Sequence, residues 1–235
     1  MAASKHAVYA TAKFLQGYSE RDKVMRTLSF ASLLIAGLSK RPSTARKFST
    51  ITGQLSLCRT ILRLFDDIPM LAHTLSYGWG RQERSSLMQV IGVLQNIVNQ
   101  LFFPVEHIAW AADNKLIDIP PGRWWTLSVT AWLTALCLGI IKSSGTLLEL
   151  QEQKRMVFKQ EKSLHGGHSQ EAIQLAKQQT VVLLRILADA SDLCNAVNWM
   201  PEGFLWANKL PNHWIGLFGT ISSLIKLGLV VQSKR

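Results

Sequence analysis

Eighteen uncharged residues, Trp124 to Ile141, stand between Arg123 and Lys142 in the run "RWWTLSVTAWLTALCLGIIK". A helix rises about 1.5 Å per residue, so this run is close to the shortest that crosses a hydrocarbon core of about 30 Å. Kept in water, such a helix has to be buried as part of a core; in a bilayer it needs only suitable ends. The ends here suit a bilayer. Trp124 and Trp125 fit the headgroup level, and Arg123 and Lys142 have aliphatic stems long enough to carry their charges out of the apolar layer. Ala131, Ala135 and Gly139 recur every four residues and offer a smooth face to a neighbouring helix.

Composition agrees with membrane contact. Charged residues make up 17% of the chain, below the usual quarter, while the hydrophobic share of 48% is at the upper edge for a soluble protein. A second apolar run, "LPNHWIGLFGTISSLIKLGLVV" at 210–231, is interrupted by Lys226, which lies near enough to its end to snorkel. Gly216 with Thr220, and Gly219 with Ser223, form small-xxx-small pairs for close helix packing. Together these features predict an all-α, multi-helix integral membrane protein with an N-terminal amphipathic helical region and about two transmembrane helices.

Residues 85–105, "SSLMQVIGVLQNIVNQLFFPV", are also uncharged, but their polar residues are sorted. Leu87, Val90, Ile91, Leu94, Ile97, Val98 and Leu101 share one face, and Gln89, Gln95, Asn96, Asn99 and Gln100 the other. That sorting predicts a packed amphipathic helix in preference to a span. Pro42, "DDIP", "YGWG", "DIPPG" and the Gly pair in "HGGH" punctuate the chain between its helices. The expected organisation is an amphipathic cytosolic region over 1–123, crossings at 124–141 and 210–231, a polar loop with helices over 142–209, and a short basic tail at 232–235.

One stretch of the N-terminal region stands out. In "FSTITGQLSLCRTILRLFDD", Phe48, Ile51, Leu55, Cys58, Leu62 and Phe65 recur at steps of three and four, so a helix through them carries an apolar stripe. Arg46, Lys47, Arg59 and Arg63 flank it. Such a helix can lie in the headgroup region of an anionic leaflet, its basic residues on the headgroups and its stripe among the acyl chains. Equally, the stripe can pack on the 87–101 face inside a helical bundle.

A net charge of +11 calls for phosphates, on lipid or on nucleic acid. Trp79, Arg81 and Arg84 lie together, but Trp124, Trp125, Trp132, Trp206 and Trp214 sit in or beside apolar segments, which favours interfacial anchoring over nucleic-acid binding. The basic excess lies at the two ends. Residues 1–123 hold 15 Lys and Arg against 8 Asp and Glu, residues 142–209 hold 8 against 7, and Lys226, Lys234 and Arg235 follow in the last ten positions. With two crossings, this distribution puts both termini in the cytosol and the nearly neutral 142–209 segment in a lumen.

Catalytic signatures (GxSxG, HExxH, a P-loop, GxGxxG) are absent from the sequence. Glu106 and His107 with Asp113, Asp66 with Asp67, and His165 with His168 are the remaining candidates for acid–base or metal chemistry. None completes a site: adjacent residues diverge on a helix, and no further ligands accompany the histidines. Cys58, Cys137 and Cys194 form no CxxC pair. The expectation is a protein without catalysis, cofactor or metal.

The blocks "LSLCRTILRLFDD", "VEHIAWAAD", "RWWTLS" and "LFGTISS", in that order and spacing, resemble the gamma branch of the peroxisomal membrane protein 11 family over nearly the whole chain. The resemblance implies a multi-pass peroxisomal membrane protein that elongates the organelle membrane before fission. It also implies homo- and hetero-oligomers with family members, contact with the fission machinery, and an inserting helix around Ser43 to Phe65. The alternative from the residues is a membrane channel or metabolite pore, with Gln95, Asn99 and Lys226 as polar lining; a lipid enzyme lacks a catalytic set.

Overall fold

The computed structural model describes residues 2–83, 85–163 and 170–233. Among them lie eight helices and no strand: α1 (Ala2–Leu15), α2 (Tyr18–Leu38), α3 (Pro42–Arg63), α4 (Asp67–Tyr77), α5 (Ser86–Asp113), α6 (Pro121–Ser163), α7 (Gln170–Asn198) and α8 (Asn212–Ser233). The all-α expectation holds. Arg84, His165, His168 and the end of the basic tail lie outside the described residues.

The helices group into two compact units, Met1–Arg63 with Lys209–Arg235, and Leu64–Asn208. In the first, α2 is central, with α3 and α8 packed on it. Gly17, extended at φ −73° and ψ 134°, separates α1 from α2. Pro42 opens α3, where its fixed φ suits the first helical position and its missing N–H costs nothing. The helix then ends at Arg63, so Phe65 falls beyond it and does not continue the stripe.

In the second unit α5 packs on α6, α6 on α7, and α4 on α5. α6 does not stop at Lys142 but runs on to Ser163, and its polar half pairs with the start of α7. Leu150, Leu175 and Val182 are buried there, with Leu147, Val157 and Ile186 around them. Farther along the same antiparallel pair, Trp132 stacks on Trp199 with ring centroids 5.6 Å apart.

α5 departs from the sequence expectation. Leu87, Val90, Leu94, Ile97 and Leu101 are exposed, whereas Asn96 and Glu106 are buried and the Gln95 amide donates to the Ala135 carbonyl at 3.3 Å. Most of the apolar face points outward and the polar face inward. In water that arrangement is costly; against acyl chains it is favourable, because the polar groups find partners only inside the protein. Among the described residues three helices, α5, α6 and α8, are long and apolar enough to cross a membrane.

Candidate membrane-interaction surface

α3 has no buried residue, and its stripe is divided. Phe48, Leu55 and Leu62 are half-buried on the side nearer α2, while Ile51 and Cys58 are exposed. The contact with α2 also carries polar bonds, and Cys58 Sγ lies 4.0 Å from Met25 Sδ of α2. Ser29 Oγ lies 3.1 Å from Ser56 Oγ, and Thr52 Oγ1 donates to the Ser29 carbonyl at 3.1 Å. Arg59 Nε donates to Asp22 Oδ1 at 2.7 Å. Burial lowers the Arg59 pKa from its ordinary value, and the hydrogen bond and charge of Asp22 offset part of that. Arg63 Nη2 donates to Thr60 Oγ1 at 3.3 Å, whereas Arg46 and Lys47 are exposed.

The anchors of the long apolar run occupy different settings. Arg123 is exposed, and Trp124 and Trp125 are half-buried. Lys142 Nζ meets Glu83 Oε1 at 2.7 Å and donates to Tyr77 Oη at 3.3 Å. Tyr77 Oη in turn donates to Glu83 Oε1 at 3.0 Å. For Glu83, burial raises the pKa, but the hydrogen bonds from Lys142 and Tyr77 and the Lys142 charge leave it below its ordinary value. Gly92 faces this cluster, since a Cβ there would strike the Tyr77 hydroxyl.

Small residues sit at the helix contacts. Gly216 lies against the Leu34 backbone, Gly219 against the Phe30 ring, and Gly37 of α2 against the His213 backbone. Thr220 and Ser223 turn their hydroxyls onto the carbonyls of Gly216 and Gly219 in their own helix, each at 2.6 Å. On α6, Ala135 and Gly139 are buried and Ala131 is half-buried; a Cβ on Gly139 would come within 2.9 Å of Gln95 Nε2 and 3.3 Å of Asp189 Oδ2.

Of the candidates for chemistry, His107 pairs with Asp67, Nδ1 to Oδ2 at 3.1 Å, across α5 and α4. The sequence spacing groups it with Asp113 instead. Among the described residues no group of three His, Cys, Asp or Glu can hold a metal ion. Two features lie outside the sequence expectations. One is the Tyr77–Glu83–Lys142 cluster, which no spacing rule connects. The other is the outward apolar face of α4, which the repeat of Phe65, Ile68, Ala72, Leu75 and Trp79 at steps of three and four does signal.

The profile of the family described as Peroxisomal biogenesis factor 11 (PEX11) matches residues 8–230. The chain is similar to Peroxisomal membrane protein 11C of Homo sapiens, 38% identical over 221 residues that cover 92% of this chain and 91% of that protein. It is also similar to Peroxisomal membrane protein 11C of Mus musculus, 36% identical over 229 residues that cover 95% and 94% of the two chains. No solved structure matches it.

Proposed function

From the premise that the chain belongs to the peroxisomal biogenesis factor 11 family, as a peroxisomal membrane protein with a role in peroxisome biogenesis, we propose that it elongates and remodels that membrane ahead of fission. The wedge is α3, and the observation that carries this reading is that α3 has no buried residue and exposes Ile51, Leu57, Cys58 and Ile61. Each surface Lys or Arg contributes about 1 kcal/mol at an anionic leaflet, and each inserted apolar side chain a similar amount or more. One such helix bends a bilayer weakly. Self-association and association with other family members multiply the effect, and the fission machinery then acts on the narrowed membrane.

Arg46 and Lys47 meet headgroups first, because Arg59 is held by Asp22. Full insertion of Phe48, Leu55 and Leu62 requires α3 to leave α2. Tubulation of anionic liposomes by the purified protein tests the wedge: Ile51→Glu with Cys58→Glu abolishes it while preserving helical content. Unchanged tubulation would remove α3 from the mechanism.

A second reading, a membrane channel, is favoured by the inward polar face of α5, where Gln95 and Asn96 lie inside the unit. Conductance of planar bilayers containing the purified protein separates this reading from remodelling.

A further inference from the structure

α4 is amphipathic in the inverted sense. Asp67, Met70, Thr74 and Tyr77 turn toward the unit, while Ile68 and Leu75 are 72% and 74% exposed. Phe65 before the helix and Trp79 after it are each 74% exposed, and Leu71 and Ala72 extend the same surface. Asp67 is spent inward on His107 and Tyr77 on Glu83 and Lys142, while His73 and Ser76 are exposed at the edge of the apolar face, the Ser76 hydroxyl donating to the His73 carbonyl.

The partners of α4 also fix its direction. Asp67 at its start meets His107 late in α5, Tyr77 at its end lies over Gly92, and Gln89 Nε2 donates to the Trp79 carbonyl at 2.7 Å. α4 therefore runs antiparallel along the apolar stretch of α5, which packs its other side on α6. Eleven residues rise about 16 Å, too short to cross a hydrocarbon core of about 30 Å alone. At the end of α4, Trp79, exposed Arg81, Tyr77 and Lys142 gather aromatic and basic groups of the kind that mark a headgroup layer.

We propose that α4 is a membrane-embedded helix, paired with α5 as a hairpin, whose outward face of Ile68, Leu71, Ala72 and Leu75 contacts lipid acyl chains. The occupant is lipid because the face is apolar, because α5 beside it is also apolar outward, and because the aromatic and basic groups stand at its end. The proposal rests on membrane residence and not on the α3 wedge, so failure of the tubulation test leaves it standing.

The test uses the full chain with Cys58, Cys137 and Cys194 replaced by Ser, reconstituted in liposomes, with an environment-sensitive fluorophore on Ala72→Cys. Leu94→Cys on α5 and Glu152→Cys on the polar half of α6 serve as references. The expected result is blue-shifted emission from residue 72, lost when spin-labelled acyl chains are included, as for residue 94, and protection from an impermeant thiol reagent that modifies residue 152. Aqueous emission at residue 72, or a blue shift that spin-labelled lipid leaves unchanged, would overturn the proposal; the latter would place a protein surface over the helix. Absence of lipid quenching at residue 94 as well would overturn it together with the lipid contact of α5.

Discussion

Arg59 of α3 and Asp22 of α2 form a hydrogen-bonded ion pair at 2.7 Å, both side chains less than a quarter exposed. The pair links the two helices that a membrane-inserting α3 has to separate. Asp22→Ala leaves the guanidinium without its carboxylate and costs about 1–3 kcal/mol of α2–α3 association. Amide hydrogen exchange of residues 48–63 in detergent is then faster than in wild type while α7 is unchanged. Equal protection would show that the serine and threonine bonds suffice.

Gly216 packs on the Leu34 backbone, whereas a Cβ at Gly228 meets nothing within 4 Å. Gly216→Leu is expected to lower stability by about 1–3 kcal/mol through overpacking, with Gly228→Leu close to neutral. Thermal unfolding in detergent compares the two.

The Glu83 carboxylate has a folded-state pKa below its ordinary value. A lowered carboxylate pKa stabilises the fold above the unfolded-state pKa, about 4.3, and that contribution is lost as pH falls through the folded-state value. The stability difference between wild type and Glu83→Gln is therefore constant near neutrality and shrinks in acid. Thermal unfolding from pH 7 downward reads this directly, and a gap that grows in acid would contradict the assignment.

In the proposed topology α6 and α8 are the two crossings, and both termini lie in the cytosol. Tags at either end of the chain are expected to be digested by protease on intact peroxisomes. Protection of one tag alone would mean an odd number of crossings.

Much of this architecture was legible in the sequence, for reasons particular to each element. The 124–141 run and the 210–231 run are apolar enough to show without partners, and Pro42 and Gly78 mark helix limits by backbone chemistry. The face that each amphipathic helix buries was not legible. Periodicity sorts Leu87, Val90 and Leu94 from Gln95 and Asn96, but which side faces inward depends on the surrounding solvent, and a bilayer reverses the rule for water. Lys142 shows the same limit: its long stem suggests snorkelling, while Glu83, 59 positions away, takes up its charge.

Elongation driven by the exposed residues of the α3 stripe is tested most directly by peroxisome length. Cells expressing tagged wild type are compared with cells expressing Ile51→Glu with Cys58→Glu, and localisation is scored in the same images. Longer peroxisomes for wild type, and ordinary ones for a variant that still reaches the peroxisome, are the predicted result. Equal elongation by both proteins would contradict it.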